Sequence, residues 1–153
     1  MKTTEITHQK EFMNKLLVSV SFDTFLLKEA ALRTSVGSSI DGRENKAFYI
    51  KEQLENNISP YDYVTWAKIK SNILNIIKGQ NTPLSMKIVL YAGPELTKEI
   101  LSDELMSDVD YLALNFRFDE SGMSLTTAVA YKAFTLDKEA DRLWDSYIDK
   151  LIS

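Results

Sequence analysis

The sequence predicts a single α+β domain, in which a mainly antiparallel sheet of about five strands is covered by helices. Two observations predict this class: strictly alternating apolar residues near the C-terminus, and apolar stripes at helical spacing in separate segments. The 153 residues suffice for one core that buries about 70% of the surface of the unfolded chain. Since no repeat, linker or low-complexity run divides the chain, we expect one domain over residues 1–153.

The most informative stretch is a predicted β-hairpin at Tyr111–Phe134. Its first arm alternates large apolar residues with smaller or polar ones, and Asp119–Gly122 supplies turn residues. An even loop sets four pairs opposite each other: Phe118 with Met123, Phe116 with Leu125, Leu114 with Thr127, and Leu112 with Val129. This register places the large apolar side chains of both arms on one face. The hairpin therefore predicts one apolar face and one small, polar face.

Three longer helices follow from apolar spacing and capping residues. The first runs from about His8 to Val18 with Thr7 as its N-cap, and the second follows Ser59 and Pro60 and ends at Lys78–Gly79. The last is capped by Thr135 or Asp137, and it should pack on the apolar side of the hairpin. Its apolar positions are Leu136, Ala140, Leu143, Trp144, Tyr147, Ile148, Leu151 and Ile152.

Further strands are expected before and after the second helix. Phe25–Ser35 is apolar on both faces, with Phe25, Leu27 and Ala31 on one side and Leu26, Ala30 and Leu32 on the other. Such a strand is typical of a sheet interior. Val36–Ile40 returns beside it before a turn at Asp41-Gly42, and Ser85–Ala92 is a separate strand.

Three shorter segments connect these elements. Pro94 opens a short helix with Leu96, Ile100 and Leu101 facing inward, and the acidic stretch Ser102–Asp108 is expected to be a loop. For the segment before the second helix, the pattern leaves two possibilities: a strand at Ala47–Ile50 or a short helix at Tyr49–Asn56.

Composition excludes several classes of function. The chain has no cysteine, so disulfides, thiolate catalysis and cysteine-based zinc sites are excluded. There is no GxSxG motif, phosphate loop or dinucleotide fingerprint, and His8 is the single histidine. We expect no catalytic residue, no metal site and no cofactor. The N-terminus lacks a signal-peptide core and no apolar run is long enough to span a bilayer, which favours a cytoplasmic protein.

The small, polar face of the hairpin is the predicted partner-binding surface. A solvated strand face normally carries longer charged side chains, whereas this face centres on alanines. It is therefore suited to receive one of the chain's own helices, a protein partner or a second copy of the chain. The residues are Tyr111, Ala113, Asn115, Arg117, Thr126, Ala128, Ala130 and Lys132, with Ser124 beside them.

Two other functions remain as alternatives. A nucleic-acid-binding accessory protein would use a local basic patch of Lys68, Lys70, Lys78 and Lys87, although the net charge of −4 disfavours this. A metal-dependent hydrolase or small-ligand-binding protein would use Glu29, whose charge lies in an apolar strand, together with acidic pairs. The pairs are Asp103-Glu104, Asp108 with Asp110, and Asp119-Glu120.

Several segments together resemble an uncharacterised family of small single-domain proteins of Gram-positive bacteria and their phages. They are KEFMNKLL and FDTFLLKEA within residues 10–30, SIDG at 39–42, IKG with TPLSMKIVL at 77–90, and LALNFRF, KAFTLDK and LWD within 112–145. The resemblance covers most of the chain. It implies a compact bacterial or phage-borne domain, and it assigns no activity, cofactor or catalytic residue.

The leading hypothesis is a non-catalytic binding or regulatory protein that acts through a protein–protein surface. The sequence provides a complete core but no recognisable nucleophile or phosphate loop. An inhibitor or accessory factor of a mobile element is one specific form of this hypothesis, and a homodimer is another.

Overall fold

The computed structural model describes residues 1–56 and 61–153, which form an α+β domain with six strands and six α-helices. The strands are β1 (Thr3–Glu5), β2 (Phe25–Arg33), β3 (Gly37–Asp41), β4 (Ser85–Ala92), β5 (Val109–Asp119) and β6 (Gly122–Tyr131). The helices are α1 (Gln9–Leu17), α2 (Lys51–Glu55), α3 (Trp66–Ile77), α4 (Pro94–Ile100), α5 (Asp103–Met106) and α6 (Glu139–Ile152). The predicted fold class is confirmed.

All six strands form one antiparallel sheet in the order β1-β6-β5-β4-β2-β3. The sequence pattern predicts only about five strands, because β1 is a three-residue polar segment without an apolar alternation. The predicted hairpin register is confirmed in all four pairs, including Phe116 opposite Leu125 and Leu112 opposite Val129.

The core lies on one side of this sheet. Helices α1, α3, α4 and α6 all bury side chains in a single cluster with the apolar face of the strands. Trp66 of α3 and Trp144 of α6 are both fully buried there. The expectation that the C-terminal helix packs on the apolar side of the hairpin is confirmed. Leu136, which was assigned to that helix, instead lies before it and is 82% exposed.

A β-bulge at Lys28 changes the faces of β2. The pairing of β2 with β4 shifts between Leu27 and Glu29, so one extra residue enters the strand. Phe25 and Leu27 therefore share the core side with Ala30 and Leu32, and not with Ala31 as strict alternation predicted. The interior position of β2, between β4 and β3, is as predicted.

Gly42 packs against this bulge and does not form the expected turn with Asp41. Asp41 is the last residue of β3, and the Gly42 amide donates to the carbonyl of Lys28 across 2.9 Å. A Cβ atom on Gly42 would lie 1.8 Å from the carbonyl oxygen of Leu27. Only glycine allows so close an approach of the two backbones.

The start of the central helix differs from the prediction. Helix α3 begins at Trp66 with Thr65 as its N-cap, while Ser59 and Pro60 lie outside the described residues. Tyr63 instead forms an isolated β-bridge with Arg43, and Thr65 forms one with Leu26. Leu26 lies in the first part of β2, which does not pair with β3. Sheet pairing therefore delays the helix.

Capping at the other helices also differs in detail. His8, and not Thr7, is the N-cap of α1, and it makes no side-chain capping bond. At α6 the Asp137 carboxylate accepts the amide of Glu139 at 2.9 Å, although Lys138 occupies the N-cap position.

Two further segments are helical: the one before α3, for which the sequence left a strand or a helix open, and the one after α4, which was expected to be a loop. Between Lys46 and Asn56 the chain forms a 3-10 turn (Lys46–Phe48) and then α2, so the helical alternative is correct. The stretch expected to be a loop after α4 contains α5, whose N-cap Ser102 accepts the amide of Leu105 at 3.3 Å.

Candidate binding face of the sheet

The face of the sheet opposite the core is called the open face below. The strand pairing places Ala113 opposite Ala128, Asn115 opposite Thr126, and Arg117 opposite Ser124. No helix in residues 1–56 or 61–153 buries a side chain in a cluster on this side. From the hairpin the open face comprises Tyr111, Ala113, Asn115, Arg117, Ser124, Thr126, Ala128 and Ala130.

The predicted partner-binding residues therefore lie together on the open face, except for Lys132, which lies at its margin. Lys132 lies just beyond β6, is exposed, and its amide donates to the carbonyl of Asp108 across 2.9 Å. The possibility that one of the chain's own helices covers this face is not realised in the part of the chain that the structure describes.

The open face continues beyond the predicted hairpin residues, across the neighbouring strands β4 and β2. Val89 of β4 lies between Glu29 of β2 and Asn115 of β5, and Lys87 lies opposite Arg117. The alternation of Lys87, Val89 and Tyr91 in β4 could have indicated this extension, but only the strand order shows which hairpin arm it adjoins.

Three tyrosines form a cluster at one end of the open face. The rings of Tyr91 and Tyr111 stack with centroids 4.2 Å apart, and Tyr63 meets both edge-on at 5.4 and 6.2 Å. Arg43 donates from Nη2 to the Tyr63 hydroxyl at 3.0 Å. Partial burial, and then the neighbouring Tyr63, raise the pKa of both Tyr91 and Tyr111 above the ordinary value for tyrosine. Below we call Tyr63, Tyr91 and Tyr111 the tyrosine cluster.

The centre of the open face is small and polar. Asn115 donates from Nδ2 to the carbonyl of Thr126 at 3.4 Å, and the hydroxyls of Thr3 and Thr126 lie 3.0 Å apart. Ala113 and Ala128 add no long side chain. On the hairpin, the open face therefore carries no large side chain between Tyr111 and Arg117.

Glu29 is on the open face and has charged neighbours. Its carboxylate lies 3.9 Å from Nζ of Lys28 and 3.8 Å from Nζ of Lys87, and its side chain is 47% exposed. An exposed, paired carboxylate carries no large desolvation cost. Within the described ranges, no group of three or more acidic or histidine side chains is arranged to hold a metal ion.

The four lysines of the nucleic-acid alternative are not assembled into one patch. Lys68 donates to the Tyr49 hydroxyl at 2.8 Å, and Lys70 is held by Asp23 at 2.5 Å and by the Ser19 carbonyl at 2.8 Å. Lys78 is exposed at the end of α3. Lys87 lies on the open face, so the sheet separates it from α3.

The fold and the open face define a two-layer α+β protein with helices on one side of an antiparallel sheet. The chain belongs to a family of unknown function (DUF5721), whose model matches residues 15–153. This match confirms the expected uncharacterised domain. No curated protein and no solved structure matches the chain. In the described residues, none of the helices combines the length and apolar character that crossing a membrane would require.

Proposed function

We propose that this protein is a non-catalytic binding protein that receives a protein partner on its open face. The observation that carries the proposal is the one-sided arrangement of the fold: the helices bury their apolar residues beneath the sheet, and the open face remains a flat surface centred on Ala113 and Ala128. Large side chains at its ends surround this flat centre.

The side chains at the ends are of the kinds that dominate binding energy at protein interfaces. Tyrosine and arginine are enriched among interface hot spots, and the tyrosine cluster, Arg43 and Arg117 supply both. Because the tyrosine rings are held by one another, little side-chain entropy would be lost when a partner orders them. The face is therefore partly preorganised.

A protein partner is favoured over nucleic acid by charge and by ring orientation. The chain has a net charge of −4, and the lysines of the basic-patch alternative are divided between the two sides of the sheet. Tyr91 and Tyr111 stack on each other, so one face of each ring is not offered for base stacking. In this proposal the protein is encoded by a Gram-positive bacterium or its phage, and it acts in the bacterial cytoplasm as an inhibitor or accessory factor of a mobile element.

Site-specific photo-crosslinking in the native host tests the proposal. A photoreactive residue at Ala128 on the open face is compared with one at Ser146, an exposed position on α6. We expect a discrete covalent adduct from Ala128 and none from Ser146, and Ala128→Arg should weaken binding of the purified partner. An adduct from Ser146 alone, or no adduct from Ala128, would overturn the proposal.

The same experiment separates a different partner from a second copy of the chain. An adduct of twice the chain mass, together with a dimer in light scattering that Ala128→Arg dissociates, identifies a homodimer formed through the open face. An adduct of any other mass identifies a different protein. Both outcomes support binding at this face.

A further inference from the structure

A cavity of about 310 Å³ lies at the end of the sheet, directly beside the tyrosine cluster. We call it the end cavity. Its apolar walls include Leu26 from β2, Pro94 from α4 and Met106 from α5. The aromatic wall is formed by Tyr63 and Tyr111, so the end cavity adjoins the open face.

The charged residues that line the end cavity are both acidic. Asp62 and Asp110 are exposed at its margin, and no lysine or arginine of the described residues is among its lining. Arg43 lies close enough to act on the charge of Tyr111, but it is bonded to the Tyr63 hydroxyl and does not line the end cavity. An anionic group would therefore be repelled at this margin.

We propose that the end cavity receives a cationic side chain, arginine or lysine, from the protein partner that binds the open face. The inference rests on the proposed function and names the feature that the partner must present. The aliphatic stem of such a side chain would pack on Leu26, Pro94 and Met106, and its charged head would lie beside the tyrosine rings and the two carboxylates.

The electrostatics of Tyr111 agree with this assignment. Burial is the main cause that raises its pKa, and Tyr63, Asp62 and Asp110 raise it further, while Arg43 lowers it. A bound cation would lower that pKa, because it stabilises the phenolate. The phenol therefore provides a spectroscopic reporter inside the proposed site.

The first experiment uses an isolated side chain as the probe. N-acetyl-arginine amide is titrated into the isotopically labelled protein, and the neutral isostere N-acetyl-citrulline amide is the control ligand. We expect the backbone amide resonances of Asp62, Tyr63, Asp110 and Tyr111 to shift with the arginine compound, and roughly tenfold weaker binding of the citrulline compound. Equal shifts with both compounds, or none with arginine, would overturn the inference.

Matched variants separate a specific site from a general effect of charge. Asp62→Asn combined with Asp110→Asn should abolish the shifts, while Glu11→Gln combined with Glu120→Gln removes the same number of charges from exposed residues that do not line the end cavity. We expect the second pair to bind N-acetyl-arginine amide like the original protein. If both double variants lose binding equally, the effect is one of net charge and the inference fails.

The purified partner then distinguishes failure of this inference from failure of the proposed function. If Ala128 crosslinks the partner but Asp62→Asn with Asp110→Asn leaves its Kd unchanged, the end cavity is not used and the proposed function stands. If Ala128 gives no adduct, the proposed function itself fails. A rise in Kd of about tenfold in the double variant would support the inference.

Discussion

Trp144 donates its indole N–H to the carbonyl oxygen of Ala113 across 2.8 Å, so the C-terminal helix is bonded to the backbone of the hairpin that carries the open face. The same ring is fully buried and contacts Phe25, with ring centroids 6.0 Å apart. Helix α6 and the open face therefore lie on opposite sides of one strand.

Trp144→Ala should lower the free energy of unfolding by about 3–5 kcal/mol, because it removes a buried ring and leaves a cavity beneath the sheet. Trp144→Phe should cost less, since it keeps most of the apolar contact and loses the bond to Ala113. Urea denaturation of both variants provides the measurement. Equal stability of Trp144→Ala and the original protein would contradict the buried position of the ring.

Gly42→Ala should destabilise the protein by more than the ~1 kcal/mol typical of a point substitution, because the new Cβ would lie 1.8 Å from the Leu27 carbonyl oxygen. The matched control is Gly37→Ala, for which no atom lies within 4 Å of the added carbon. Thermal unfolding of the two variants compares them. If the two variants unfold at the same temperature, Gly42 does not lie as close to the Leu27 carbonyl oxygen as the structure shows.

Thr127→Val should lower the free energy of unfolding by about 1–3 kcal/mol although the two side chains have nearly the same shape. The buried Thr127 hydroxyl donates to Asp145 of α6 and accepts the amide of Lys2 at 3.0 Å. Valine has no hydroxyl, so the Asp145 carboxylate and the Lys2 amide would each lose this hydrogen bond. Thr126→Val, one residue earlier on the half-exposed open face, should change stability far less, and denaturant midpoints measure the difference.

Tyr131 should ionise at a higher pH than an ordinary tyrosine. Burial, and then its hydrogen bond to Asp141, raise its pKa to about 12 from the ordinary value of 10.0. Because the folded pKa lies above the unfolded one, this stabilisation is fully present below pH 10 and is lost as pH rises toward 12. Ultraviolet absorbance of the phenolate should show a late step that Tyr131→Phe removes; a titration unchanged by this substitution would contradict the assignment.

The elements governed by side-chain periodicity could be predicted from the sequence. In β5 the residues from Leu112 to Phe118 are apolar at every second position, and Met123, Leu125 and Val129 of β6 lie opposite three of them. A shift of one residue would expose this apolar set, so the pattern determines the register of Phe116 and Leu125. The same alternation placed the hairpin residues of the open face together. Strand β4 was likewise predicted with its correct bounds, Ser85–Ala92.

The elements that depend on distant backbone contacts could not be predicted. The bulge at Lys28 is matched by the glycine at position 42, and no local pattern in β2 reports that contact. The delayed start of α3 has the same origin, since Tyr63 and Thr65 form bridges with residues far away in the sequence. The tyrosine cluster was missed because Tyr63 comes from this irregular segment.

The two outermost strands of the sheet are short, with three residues in β1 and five in β3. They therefore offer few unpaired backbone groups to which a strand of another molecule could add. Association by lateral extension of the sheet, including growth into fibrils, is disfavoured by this design. The proposed binding at the open face would therefore use the broad surface of the sheet and not its edges.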